Sequence, residues 1–256
     1  MSEYLVIRLY GPMASWGEIA VGESRHTAVH PSRSALLGLI GAALGIERTD
    51  DAGQTGLSVG YRFGIKMAGL GALMRDYHTV QAPPQQSKVR YRTRRQELAD
   101  PQRLNTLLSA REYRCDSIAI VAIEATSKAP VALADLAAAL QRPAFTLYLG
   151  RKSCPLAIPL APALVQAPDL RTALDDTPQG SLADLSDPMG RQPRQWPGAA
   201  DKRLFGLAQS RYYWEDGMQS GMEATLMVQR HDAPLSRRRW QFAPRQESVF
   251  LPGDSQ

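Results

Sequence analysis

Cysteine and histidine are scarce in this chain, and neither falls in a metal-binding or redox pattern. Of 256 residues two are cysteines, Cys115 and Cys154, without C-x-x-C spacing, and the four histidines form no helical or finger-type motif. Free thiols, no metal and no cofactor are expected. No apolar run approaches the roughly 18 residues that a membrane-crossing helix needs, and a basic stretch followed by an apolar core is missing from the start. The expectation is a cytoplasmic protein with no membrane partner. One further absence is local: residues 79–96 hold no aspartate or glutamate.

That acid-free stretch carries Lys88, Arg90, Arg92, Arg94 and Arg95, with Tyr91 in the middle. Read as a strand, its period of two puts Lys88, Arg90, Arg92 and Arg94 on one face, charges recurring roughly every 7 Å, a spacing suited to a phosphate chain. The competing reading is a solvated edge strand made basic against aggregation, which needs fewer charges. The hydrophobic content of 44% is ample for a packed core, and the formal charge of +5 leans only modestly toward a polyanionic partner.

Along the chain, residues 4–10 read as a strand, closed by Gly11 and Pro12. Ser32 is a natural N-cap for a helix whose apolar stripe runs through Leu36, Leu37, Ile40 and Leu44 to Gly45. A second strand is expected at 57–67, a short helix at 101–110, a strand at 117–126, an alanine-rich helix at 132–140 and a further strand at 145–149. The fold class is therefore α+β, a ferredoxin-like, RRM-like βαββαβ sheet with a long inserted β-hairpin thumb. A hairpin from 211–216 and 223–230 forms a small C-terminal extension, after a Pro- and Gly-rich loop at 175–203. The expected domains are an RNA-binding domain at 1–168, with the thumb at about 70–97, and an extension at 169–256 packed on it.

The string Y-L-G-R-K-S-C-P-L at 148–156 ends a strand at Gly150 and offers Arg151, Lys152 and Ser153 with their backbone N–H groups as an anion cradle. Alone, such a loop is as often a surface turn. It stands in a series with L-Y-G-P-M-A-S-W-G at 9–17, P-S-R-S-A-L-L-G-L-I-G-A-A-L-G-I at 31–46, R-D-Y-H-T-V at 75–80 and R-E-Y-R-C-D at 111–116. In these strings and their order the chain resembles the CasD family, the crRNA-end-capping subunits of type I-E CRISPR Cascade complexes in the RAMP superfamily. The resemblance is strong from residue 4 to about 160 and resumes more weakly around 240–250. It departs at the 175–203 loop and in the arginine density of 88–95. It implies a non-catalytic subunit that holds the 5′ handle of the crRNA, contacts the backbone subunit filament and the large PAM-reading subunit, and meets target DNA only indirectly.

Each candidate carries a plainer alternative. Arg25 and Arg33 flank the loop entering the first helix; a cation in a first helical turn opposes the macrodipole and so calls for an anion, RNA phosphate or an internal carboxylate. Tyr77 and His78 are candidates for base stacking, with a structural tyrosine as the alternative. Trp16 reads as core, and the Arg237, Arg238, Arg239 run before Trp240 as a solvated face or a contact to nucleic acid or a partner. The enzymatic alternative is a metal-independent crRNA-processing endoribonuclease recruiting His78, Tyr77 and Lys152.

Overall fold

The computed structural model describes residues 1–20, 22–85, 89–178 and 210–252. Two strands, Ser2–Tyr10 (β1) and the short Met13–Ala14 (β2), are followed by Ser24–Arg25 (β3) and the helix Arg33–Leu44 (α1). The caps of α1 are those the sequence offers: the Ser32 side chain accepts from the Ala35 N–H, and Gly45 closes the helix at φ 75°. The helix Asp51–Gly60 (α2) and the strands Tyr61–Gly69 (β4) and Ala72–Ala82 (β5) come next. After them lie one short turn of helix, Arg94–Glu97 (α3), and the strands Asn105–Cys115 (β6) and Ile118–Ala125 (β7). Leu133–Gln141 (α4), Ala163–Ala167 (β8), Leu170–Asp176 (α5), Arg211–Glu215 (β9), Leu226–Ser236 (β10) and Gln241–Phe250 (β11) complete the chain.

Seven strands form one antiparallel sheet in the order β10-β11-β9-β4-β7-β1-β8. Its central strands are buried on both faces, which explains their unbroken apolar runs. Leu5, Ile7 and Leu9 of β1 pack with Val121 and Ile123 of β7 beneath α1, α2 and α4. Tyr4 and Val6 face the other way, with Ile118, Ile120, Leu170 and Leu174 beneath α5. The sheet spans residue 168, since β9, β10 and β11 extend the edge that β4 begins.

Several expected elements are different. Residues 57–60 end a helix that Asp50 caps through the Gly53 N–H, and the strand starts only at Tyr61, where the alternation does. Apart from a 3-10 turn at Pro101–Arg103, the helix expected at 101–110 is strand, because the full-length pairing of β6 with β5 overrides local propensity. At 145–149 there is only the isolated bridge of Tyr148 with Pro155; the sheet position belongs to β8. The C-terminal hairpin is β10 with β11, while β9 lies between β11 and β4. The start of the expected 175–203 loop belongs to α5, and its remainder from 179 lies outside the described residues.

A buried ionic network fixes the C-terminal strands to the start of α1. Arg33 donates through Nε to both Glu215 oxygens at 3.0 and 3.1 Å, and its Nη2 donates to the Ser58 and Tyr61 carbonyl oxygens at 2.6 and 3.1 Å. Asp232 accepts the Arg33 backbone N–H at 2.7 Å and the Arg245 Nε at 2.6 Å; Arg245 also reaches Glu247 at 2.6 Å. His30 closes the chain, 3.0 Å from Glu247, with its ring 3.9 Å from that of Tyr213. Arg33 therefore takes the internal carboxylate, not RNA phosphate: its side chain is enclosed, and the carboxylates offset its poor position in the helix dipole. Breaking one partner of such a buried pair costs about 3–5 kcal/mol, since the other charge stays buried alone.

The carboxylates of this network titrate in opposite senses. Burial pushes Glu215 up to about 7, against the pull of Arg33 and Arg245. Burial would also raise Glu247, but His30 and Arg245 outweigh it and hold the group at about 2. Glu247 lies below its unfolded value of about 4.3, so its contribution is present above that pH and disappears as pH falls toward 2; a two-unit shift corresponds to about 3 kcal/mol. Urea unfolding followed from pH 5 to 2 should show wild-type stability falling more steeply than that of Glu247→Gln. Parallel slopes would mean that Glu247 has no depressed pKa.

Candidate nucleic-acid interface

Strands β5 and β6 leave the main sheet as a two-stranded arm, paired residue for residue from Ala72 with Cys115 to Ala82 with Asn105. Most residues of its outer half are exposed, on both faces. Its root is held by short strands: β2 pairs Met13 with Cys115, and β3 runs parallel, with Ser24 beside Ala110 and Arg25 beside Arg111.

The register brings together two sequence strings, Arg75-Asp76-Tyr77-His78 and Arg111-Glu112-Tyr113-Arg114. Run antiparallel, they set Arg75 opposite Glu112 and Asp76 opposite Arg111, two opposite-charge pairs across the ladder. Glu112 is buried; it accepts from Arg75 at 2.8 Å and from the Thr27 N–H at 3.4 Å, and lies 3.3 Å from His26. The Arg75 hydrogen bond, with help from Thr27 and His26, holds its carboxyl below the usual range despite burial. The root is thus clamped to the 24–27 loop by charge.

Alternation assigns the candidates to faces. Tyr77, 66% exposed, lies on the face of Arg75, whereas His78, 2.7 Å from Asp76, lies on the other with Arg111 and Tyr113. Tyr77 and His78 therefore present to opposite faces of the arm. Arg25 joins the second face, exposed, its Nη1 donating to the Gly22 carbonyl oxygen at 2.6 Å. Arg151 reaches the same side: its guanidinium carbon is 5.2 Å from the centre of the Tyr113 ring. Arg25, Arg111 and Arg151 so define a cationic surface at the root of the arm. Arg75 and Arg111 escaped selection from the sequence; the mirrored R-acid-Tyr strings were the available signal.

The tip departs from the expected ribbon. Lys88 lies outside the described residues. Arg90, Tyr91 and Arg92 follow Pro83 and Pro84, which end β5, and are not in a strand, so no alternation places Arg90, Arg92 and Arg94 on one face. Arg90 and Arg92 are exposed, and Tyr91 is partly so. Arg94 opens α3, capped by Thr93, where it donates to the Gln81 carbonyl oxygen and pairs with Glu97 at 2.6 Å. The tip is a basic knob, not a cationic strand.

The Gly150 loop is also different in origin. Tyr148 bridges Pro155, and the Leu149 N–H donates to the Cys154 carbonyl oxygen at 2.8 Å, making a tight turn that presents Lys152 and Ser153 to solvent. Gly150 holds φ 83°, and a Cβ there would lie 1.9 Å from the Ser15 carbonyl oxygen. The glycine is required by the protein's own backbone rather than by an approaching phosphate. Trp16, beside this contact, is core. Gly150→Val should lower the melting temperature by several degrees, while Lys152→Ala should leave it within about one degree. Equal melting temperatures for Gly150→Val and wild type would show that the turn relaxes without cost.

Among the described residues, no group of three or more His, Cys, Asp or Glu side chains could hold a metal ion, and no helix is long and apolar enough to cross a membrane. A family model described as CRISPR-associated protein (Cas_Cas5) matches residues 4–247. The CRISPR system Cascade subunit CasD of Escherichia coli strain K12 is 36% identical over 182 residues, covering 68% of this chain and 76% of the relative. A chain of a CRISPR RNA-guided surveillance complex superposes with a TM-score of 0.64 at 24% identity, over 97% of this chain and 89% of that one. A solved Cas protein gives a TM-score of 0.55 at 24% identity, over 97% and 94%. At that identity the two structures speak for the fold alone: mixed α and β, with a mostly antiparallel sheet and few helices.

Proposed function

The chain belongs to the CRISPR-associated Cas5 family, and from that premise we propose that it is a non-catalytic subunit of a type I-E Cascade surveillance complex. It binds and caps the 5′ handle of the crRNA and bridges the backbone subunit filament to the large PAM-reading subunit, in the cytoplasm, meeting target DNA only through the complex. The likeness to CasD supports the Cascade role. The observation that carries RNA binding is the solvated β5–β6 arm with its cationic root at Arg25, Arg111 and Arg151 and its basic tip at Arg90, Arg92 and Arg95. Cations spread along an arm with two wet faces suit a phosphate chain that wraps, more than a single small anion.

On this reading the sheet is ferredoxin-like: β1, β4, β7 and β8, with α1 and α4 as the two crossovers, lie in the order β4-β7-β1-β8, and the arm is the inserted thumb. Residues 1–168 form the RNA-binding domain and 169–256 its extension. Tyr77, Tyr91 and His78 offer stacking surfaces at separate points, and Lys152 and Ser153 exposed polar contacts at the Gly150 turn. The endoribonuclease alternative finds less support, since Tyr77 and His78 lie on opposite faces.

Neutralising Arg90, Arg92, Arg95, Arg111 and Arg151 together should weaken crRNA binding and reduce the log-log salt slope by about 0.7 per lost phosphate contact. Binding isotherms of the full chain on handle RNA between 50 and 300 mM salt measure this, and the RNA should be recovered uncut. An unchanged slope would remove the arm from the RNA interface; cleavage at one site, abolished by His78→Ala, would restore the enzymatic reading.

A further inference from the structure

A pocket of about 640 Å³ opens between α1, the loop at 146–150 and the turn joining β10 to β11, and it borders the Gly150 turn that carries Arg151, Lys152 and Ser153. Its floor is apolar, formed by Ala35, Leu39, Ala42, Leu147 and Phe242. The Arg237 guanidinium lines it, and Arg48 stands beside Arg237 and Trp240. Arg237, half-buried, donates to the Ser34 carbonyl oxygen and lies against Gly38, where a Cβ would sit 3.3 Å from its Nη1. Arg48 donates to the Arg237 carbonyl oxygen at 2.9 Å, and its guanidinium carbon is 4.3 Å from the centre of the Trp240 ring.

The pocket is lined by two carboxylates and two guanidinium groups, but their pairing leaves one cation over. Its lining carboxylates are already paired, Glu18 with Arg230 at 3.1 Å and Asp232 with Arg245 at 2.6 Å. Among the described residues neither Arg237 nor Arg48 has a carboxylate partner, and the buried Nε of Arg237 has no hydrogen-bond partner at all. Trp240 completes the site. It is 60% exposed, stacks on Phe242 at 5.9 Å, and is held at φ 52°, a conformation that costs a bulky side chain energy and persists only when the surroundings impose it.

We propose that this pocket docks an acidic and apolar segment of a protein partner, one carboxylate meeting Arg237 and Arg48 while a neighbouring large apolar side chain seats on the floor beside Trp240 and Phe242. The Arg237 guanidinium, without a carboxylate among the described residues, calls for an anion, and the apolar floor calls for a side chain rather than a phosphate. Arg and Trp around a concave apolar centre are the residue types that anchor protein interfaces. A volume of this size takes one or two side chains. The inference rests on the Cascade-subunit reading, which supplies the partner as a neighbouring subunit.

The test places a photo-crosslinker in the full chain by Trp240→p-benzoylphenylalanine, irradiates the assembled ribonucleoprotein and maps the product by mass spectrometry. The expected product is one peptide of a neighbouring subunit in which Asp or Glu adjoins a large apolar residue, reduced roughly tenfold by Arg48→Gln with Arg237→Gln. A crosslink to guide RNA, to a second copy, to the chain's own residues 179–209, or to nothing overturns the proposal. In a second arm, Trp240→Ala should keep RNA affinity within about twofold and lose incorporation into the complex about tenfold; unchanged incorporation overturns the docking site. A wild-type chain that copurifies with no other subunit instead overturns the Cascade reading itself.

Discussion

Six charged or titratable groups at the start of α1 hold together segments that lie far apart in the chain. Arg33 and Glu215 are 182 positions apart, and Arg33 and Asp232 are 199 apart. Between them they seat β9, β10 and β11 beside the helix that packs under the oldest part of the sheet in chain order. The interaction is expensive to build, because each charge loses water, and it is tolerated because every member has an oppositely charged neighbour and Arg33 also satisfies two carbonyl oxygens. Remove the network and the seating of β10 against α1 loses its polar anchor, and with it the cleft above Leu39 and Ala42.

The legible parts of the sequence were those whose cause is local. Ser32 and Gly45 bracket an apolar stripe, and α1 lies between them. The unbroken apolar runs of β1 and β7 mark strands covered on both faces. What escaped was set by distant partners. Leu107 and Leu108 look helical until β5 is laid beside them, and the place of β9 between β4 and β11 has no sequence signal in its own five residues. Among the site residues, Arg25, Arg90 and Arg92 are exposed, but the strand alternation expected for Arg90 and Arg92 is absent. Arg33 was misread because its partner Glu215 is nonlocal, and Gly150 because the atom it avoids belongs to Ser15.

The arm joins the fold to its chemistry. It has a complete backbone ladder but almost no apolar core of its own beyond the root, so its order depends on hydrogen bonds and on the clamp formed by Glu112. Such an element opens more readily than the sheet from which it grows.

The strand β10 has a bearing on assembly that lies in its backbone rather than its charges. Among the described residues it is the outermost strand of the seven, eleven residues long, and a strand of that length at a sheet edge is a template for another chain's strand. Its pairing with β11 slips twice, between Arg230 and Ala233 and between Pro234 and Ser236. The slips twist the ribbon, and Pro234 removes an amide donor. The long edge is thereby broken into shorter pieces with different directions, which makes it a poorer template for main-chain pairing than a straight strand of eleven residues.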